Sequence, residues 1–339
     1  MFSRHATVAA AVLILFASSP RQHLRASDEV RPVRVAASRE SMGCVYSIVA
    51  YALDPDRAKP ALEAALDEVD RIDRLASLYR RDSALSRLNA ASGGPAVPVD
   101  HELFDLIAEA MTYSVDSSGA FDVTVGPLLR IWGFFDGAGR VPSAEELARA
   151  RRRVGYRHVS LDSGTQTIRV DRPGVEIDLG AIAKGYAVDR AVSVLTKRGI
   201  AAALVSAGGS TINGIGAPPG APAWDVAVQD PLDRTRVAMR LSLKDRSLSV
   251  SGGSERHFDV NGVRYSHIMD PRTGRPSQGV LAVVALADSG IASDALGTAL
   301  YVEGPQRAGS LLDRHRGTEA IFFVPDRKVW RAIHLRPAS

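Results

Sequence analysis

The sequence predicts an α+β fold, and three observations carry that expectation. Amphipathic helical stretches and short strand-like runs are mixed along the chain without the strict strand–helix–strand alternation of a doubly wound sheet. The 339 residues are 45% apolar and 24% charged, an ordinary globular mixture that excludes collagen-like, disordered and multi-span membrane classes. No repeat or low-complexity stretch divides the chain, whose length allows one large domain or two interleaved ones.

The elements follow in order. Residues 1–27 read as a secretory signal: Met1-Phe2-Ser3-Arg4-His5, an apolar run from Ala6 to Ala17, then Ser18, Ser19 and Pro20. The run is short for a transmembrane helix, and no twin-Arg pair precedes it, so a general (Sec-type) secretion route to the periplasm or inner-membrane surface is expected. Residues 28–39 read as a polar linker. A strand is predicted over Met42–Ala52, and Pro60 is expected to open a helix whose Leu62, Ala65, Leu66, Val69, Ile72 and Leu75 share one face. Asp100 is expected to cap a second helix, with Leu103, Leu106, Ile107 and Ala110 inward. A third, basic helix covers 142–154, its Arg151, Arg152 and Arg153 forming a solvated face. Strands are predicted at Val159–Leu161 and Thr167–Val170, then a helix from about Ala181 to Arg198. Further strands are expected at Ala202–Val205, Val226–Val228, Ala238–Leu243 and Ser247–Val250. Asn261-Gly262 predicts a hairpin between His257–Val260 and Val263–His267. Val280–Ala287 completes a strand, Ser293–Leu300 a helix, and Phe322–Val324 with Trp330–His334 a last hairpin.

Charge excludes one class of partner. The formal net charge is +4, and Arg4, Arg21 and Arg25 all lie in the export segment, leaving about +1 without it, near neutral and well short of a nucleic-acid binder. The single cysteine excludes an internal disulfide and a Cys-based zinc cluster. Walker-type phosphate loops, dinucleotide glycine fingerprints, a nucleophile elbow and His pairs at zinc spacing are all missing from the sequence.

Four polar segments punctuated by glycine remain. In Gly119-Ala120-Phe121-Asp122, followed by Trp132-Gly133-Phe134, the glycines permit close backbone approach and the aromatics suit stacking on a planar ring; the alternative is a turn with a core aromatic. Asp178 precedes a helix start that carries Lys184, a pairing that suits an anion or, more plainly, a cap with a snorkelling lysine. His267-Ile268-Met269-Asp270-Pro271-Arg272-Thr273-Gly274 puts a proton-moving ring beside a carboxylate and a guanidinium, or is a turn with an incidental His. Asp294 and Thr298 share a helix face, hard oxygen donors suited to Mg²⁺ near a phosphate; alone, Asp294 also reads as an N-terminal helix charge.

Taken in order, these segments and their neighbours resemble the ApbE family of flavin transferases (FAD:protein FMN transferases) from about residue 40 to 325. The landmarks are Met42-Gly43, Ser77-Leu78-Tyr79-Arg80, the Ser83–Asn89 stretch, Gly119–Asp122, Asp178 with Gly185-Tyr186-Ala187, Gly208-Gly209, His267–Gly274 and Asp294–Thr298. The resemblance implies one interleaved catalytic unit over 40–339, with T-fold-related mixed sheets and helices packed on them. It implies FAD contacts at Met42, Tyr79, Ala120, Phe121, Asp122, Asp178, Lys184 and Ile268. It implies a Mg²⁺ site at the Ala181 carbonyl, Asp294 and Thr298, and catalytic roles for His267 and Asp270.

The implied reaction is transfer of FMN from FAD to a Thr or Ser hydroxyl of an acceptor protein, with AMP leaving and either His267 or Asp270 taking the hydroxyl proton. The implied acceptor is a subunit of a membrane redox complex. The sequence departs from the family pattern at Cys44 (where Thr is common), at Ser210 (where acidic or amide side chains are common) and at Gly297, which offers no second carboxylate near the metal. Two other readings use the same residues: an FAD pyrophosphatase giving FMN and AMP, and a non-catalytic periplasmic FAD binder.

Overall fold

The structure, a computed structural model, describes residues 31–338. The expected signal, 1–27, lies outside the described residues. The centre is an eight-stranded sheet in which every neighbouring pair is antiparallel and spatial order follows chain order. Its strands are Val33–Ser41, Cys44–Ala52, Ala203–Ala207, Thr211–Ile215, Arg246–Gly252, Ala282–Ala287, Glu319–Asp326 and Val329–Leu335. Among the described residues eight α-helices leave and return to it: α1 (Pro55–Ala76), α2 (Ala84–Ala90), α3 (His101–Asp116), α4 (Gly126–Ile131), α5 (Ala144–Arg151), α6 (Ala183–Lys197), α7 (Gly290–Glu303) and α8 (Gly309–Arg314).

The sheet is buried on both faces, and side-chain alternation along one strand shows how. Ile48 and Ala50 pack with Leu62, Leu66, Val69 and Ile72 of α1 and Val188, Ala191 and Leu195 of α6. Val49, between them, points to the opposite face and joins Leu204, Trp224, Val226, Leu243 and Leu286. That second face is covered by the hairpin Trp224–Gln229 with Val237–Leu243. The α+β expectation therefore holds, in three layers of helices, sheet and hairpin.

Several local expectations change. The stretch read as linker forms the edge strand Val33–Ser41, and only Val35 in it is buried, so it carries little apolar signal. The first helix opens at Pro55, with Asp54 accepting from the Asp56 and Arg57 N–H groups; Pro60 lies inside it. The strand Thr211–Ile215 and the helices α2, α4 and α8 were not expected from the sequence. The Asn261-Gly262 hairpin is as predicted, with φ of 52° and 76°. The Met42-Gly43 landmark is a second two-residue hairpin turn, with φ of 50° and 74°. A non-glycine residue at positive φ is uncommon, so Met42 is held there by its surroundings, including a Tyr46 hydroxyl 3.2 Å from its sulfur.

Candidate active site

The floor of the site is the crossing of α6 and α7. Gly185 and Gly290 bring the two backbones together: a Cβ on Gly185 would strike the Gly290 carbonyl and come within 2.8 Å of the Asp294 Cβ. The approach lets the Gly185 N–H donate to Asp294 Oδ2 at 3.0 Å. In an unbroken helix that N–H would serve the Ala181 carbonyl. Here α6 begins at Ala183, and no hydrogen bond among the described residues ends on the Ala181 oxygen. Asp189 of α6 ties the crossing from the other side, accepting from the Gly290 and Ile291 N–H groups at 2.6 and 2.8 Å. Burial pushes its carboxyl up to about 6, against the pull of those two donors.

Asp294 is 6% exposed. Its Oδ1 lies 3.3 Å from the Ser249 hydroxyl, which is itself 2.9 Å from Thr211 Oγ1 and 3.1 Å from the Ser210 carbonyl. No Lys or Arg forms an ion pair with Asp294 among the described residues. Burial therefore holds its carboxyl above the usual range, opposed by Lys184 nearby and by the Gly185 N–H. Lys184 donates to Ser210 Oγ at 2.8 Å. Burial alone would lower the ammonium, but the Glu255 and Asp294 carboxylates outweigh it and hold it charged.

The rim is built by the segments around Tyr79 and His267. The His267 N–H donates to the Arg256 carbonyl at 3.0 Å, and ring Nδ1 lies 3.2 Å from the same oxygen. A carbonyl only accepts, so Nδ1 carries the proton and Nε2 keeps its lone pair. Nε2 has no partner among the described residues. Burial, then the positive charges of Arg256 and Lys184, push the ring down to about 3, so it is neutral at physiological pH. Arg256 Nη1 reaches the hydroxyl of Tyr79 at 2.9 Å; Tyr79 is 65% exposed and meets Phe135 edge-on.

The remaining expected residues divide. Asp178 caps no helix: it accepts from the Gly180 N–H at 2.7 Å in the turn before α6, and its own N–H donates to the Val123 carbonyl. Burial raises its carboxyl, opposed by that N–H and by Arg256. The Val123 contact draws the Gly119–Asp122 turn to the site. Asp122 spends its carboxylate on that turn, accepting from the Thr124 N–H and hydroxyl and from the Tyr156 N–H. A cavity of about 470 Å³ opens beside it, between Tyr156 and Pro271.

The expected stacking by Phe121 and Trp132 is not available, because both side chains are core: Phe121 lies edge-on to Tyr113, and Trp132 packs on Tyr265 with its indole N–H on the Gly274 carbonyl. Ala120 and Ile268 are likewise buried and can offer only backbone or packing. Asp270 accepts from the Arg272 N–H and Nε at 3.0 and 2.9 Å, and Arg272 continues to Glu303. Thr298, one turn after Asp294, is half-buried on the same helix. Cys44 is half-buried against Gly208, and burial raises its thiol, as befits a small packing residue.

A family model described as ApbE family matches residues 42–322. This chain belongs to the ApbE family. It is 36% identical over 292 residues to a protein of Treponema pallidum named FAD:protein FMN transferase, covering 80% of each chain. A protein of the same name from Escherichia coli is 30% identical over 92% of this chain and 90% of its own. Among solved structures, the flavin transferase ApbE of Vibrio cholerae superposes with a TM-score of 0.80 at 30% identity, over 89% of this chain and 97% of that one. The ApbE protein of Thermotoga maritima gives the same score at 32% identity, over 90% and 97%. The ApbE fold expected from the sequence is thus the one observed.

Sequence reasoning missed Arg256, Glu255, Asp189 and Ser249. Asp189 sits mid-helix, where an acidic residue reads as solvated surface; only the tertiary crossing makes it the cap of another helix. Arg256 follows a Gly-Gly-Ser-Glu stretch whose sole local signal was the break between two strands.

Proposed function

We propose that the chain transfers the FMN part of FAD to a Thr or Ser hydroxyl of an acceptor protein, releasing AMP. The relatives' names supply the reaction class. The observation that carries the chemistry is His267, a neutral ring with its Nδ1 proton fixed on a main-chain carbonyl and its Nε2 open, at the rim above Lys184 and Asp294. In the proposed step the hydroxyl oxygen bonds to the FMN phosphorus. The bond from that phosphorus to the bridging oxygen breaks, AMP departs with the bridging oxygen, and the hydroxyl proton passes to His267 Nε2. Between the two expected bases the geometry favours His267, because Asp270 is bound up with Arg272. Burial first, and then the charges of Arg256 and Lys184, hold the free ring's proton affinity down, and a bound diphosphate would offset the part that comes from the two cations.

The donor set at the crossing suits Mg²⁺. It offers a buried carboxylate without an ion pair, the unpartnered Ala181 carbonyl and the Thr298 hydroxyl, all hard oxygens. Among the described residues no three His, Cys, Asp or Glu side chains cluster as a metal site, so one carboxylate would serve with neutral oxygens. When bound, the ion supplies charge neutralisation for the diphosphate and the leaving AMP. Lys184 holds a phosphate oxygen, the neighbouring turns exclude water, and Tyr79 offers the exposed aromatic face for a flavin. We place the enzyme in the periplasm, acting on a membrane redox-complex subunit; fractionation of cells producing the full chain tests the location.

The deciding experiment incubates the protein with FAD, Mg²⁺ and a candidate acceptor domain and reads flavin fluorescence on a denaturing gel. An acceptor left unlabelled with FAD and Mg²⁺ both present refutes transfer. AMP formed without any acceptor points to the pyrophosphatase reading.

A further inference from the structure

Arg256 is the residue on which otherwise separate parts of the rim converge. Its carbonyl receives both the main-chain N–H and Nδ1 of His267. Its side chain is exposed and meets a protein partner at the Tyr79 hydroxyl, 177 residues away in sequence. No acidic side chain pairs with its guanidinium among the described residues. Yet three groups feel its charge: Asp178 at the turn before α6, Lys184 at the start of α6, and His267 itself. The carboxylates facing this region are Glu255, beside it in sequence, Asp178, and Asp294 on α7. The guanidinium is held by one neutral hydroxyl and lies near enough to Lys184 for the two positive charges to oppose each other. A planar guanidinium suits phosphate oxygens through two parallel N–H bonds, and an exposed one can change partners at little cost.

We infer that Arg256 is a positioning residue for the substrate diphosphate: its main chain orients His267, and its guanidinium leaves the Tyr79 hydroxyl to clasp a diphosphate oxygen opposite Lys184. Binding thereby couples two events. The phosphate is fixed, and Tyr79 is freed to turn its ring to the flavin. The inference deepens the flavin-transfer reading and rests on FAD as substrate.

The test compares the wild-type chain with Arg256→Gln and Arg256→Lys, which keep the main-chain carbonyl and so the His267 tautomer. Flavin fluorescence quenching gives affinities for FAD and riboflavin, and ADP competition isolates the diphosphate. Arg256→Gln should weaken FAD and ADP about tenfold or more without weakening riboflavin, for which Tyr79 is then already free, with Arg256→Lys recovering part of the loss. The His267 titration, followed by NMR in the free protein, should move upward in Arg256→Gln, because a positive neighbour has gone. Unchanged FAD and ADP affinity together with an unmoved His267 overturns the assignment, even if wild-type transfer is intact. Conversely, Arg256-dependent FAD binding with no transfer to any acceptor keeps the assignment and removes the transferase reading.

Discussion

The floor and the rim of the site are built on opposite principles. At the floor, two helix backbones touch through Gly185 and Gly290, and Asp189 and Asp294 each bind N–H groups across the crossing. Nothing there shifts without moving a helix. At the rim, Tyr79 and Arg256 meet by one hydrogen bond between exposed side-chain ends, and His267 is tethered by an edge. The difference teaches where specificity and where charge handling reside. The Asp189 and Asp294 carboxylates are set in the core, where a low dielectric magnifies their charge. Tyr79 and Arg256 are exposed and stay adjustable.

If that contrast is right, a floor variant harms stability and activity together, whereas a rim variant harms activity alone. The largest effect is expected from Gly185→Ala. Its methyl group must push α6 from α7, costing about 3 kcal/mol in urea unfolding and abolishing transfer; a variant that unfolds like wild type would show that the crossing is looser than described. His267→Ala should cut turnover roughly a hundred- to ten-thousandfold with stability changed by less than about 1 kcal/mol. Turnover near wild type would leave the proton without a taker and return the choice to Asp270.

Asp294→Ala sharpens the contrast within the floor. Turnover should fall by about two orders of magnitude and lose its Mg²⁺ dependence, and stability at pH 7 should fall by about 1–3 kcal/mol, because the buried Gly185 N–H loses its acceptor. An unaltered Mg²⁺ titration would take Asp294 out of the metal site. Asp270→Asn should cost less than about tenfold, since its carboxylate serves the Arg272 turn and not the proton; a loss as deep as that of His267→Ala would reverse the assignment.

The smallest effect separates the regions by pH. The Asp189 carboxyl titrates higher folded than unfolded, so its contribution to stability is lost as pH rises from about 4 towards about 6. The His267 ring titrates lower folded than unfolded, so its contribution is lost as pH falls from about 6.5 towards about 3. Midpoints of urea unfolding across pH 3 to 7 for Asp189→Asn and His267→Gln should deviate from wild type with opposite slopes. Parallel curves would mean that the two groups do not sit in opposed environments.

What the sequence revealed depended on whether the cause was local. Asn261-Gly262 was readable because the turn itself demands positive φ at both positions. The apolar faces of α1, α3 and α6 were readable because burial repeats with the helix period. Val33–Ser41 was not, since an edge strand buries one side chain and leaves the rest exposed or half-buried. Thr211–Ile215 lies between glycines and carries too little pattern to declare itself. In the site, Asp294 and Thr298 showed as a helix face, but Asp178 was misplaced as a helix cap because the helix begins later, at Ala183. Ring stacking was read into Phe121 and Trp132 because sequence cannot tell an aromatic facing a substrate from one facing the core. Asp189 and Arg256 act across distances that no local window contains.

The order of strands in the central sheet has one last consequence. Because each strand lies beside its predecessor among the eight, the sheet forms a meander, and most of the side chains of the site are carried on detours from it, with Ser249 and Thr211 on the strands themselves. The detour from 53 to 202 brings Tyr79, the Asp122 turn, Asp178 and Lys184; the one from 253 to 281 brings Arg256, His267 and Asp270; the one from 288 to 318 brings Asp294. Closing a longer detour costs little, on the order of 0.6 kcal/mol for each doubling of its length. The meander is therefore a frame on which excursions can lengthen, shorten and exchange side chains while strand pairing stays intact.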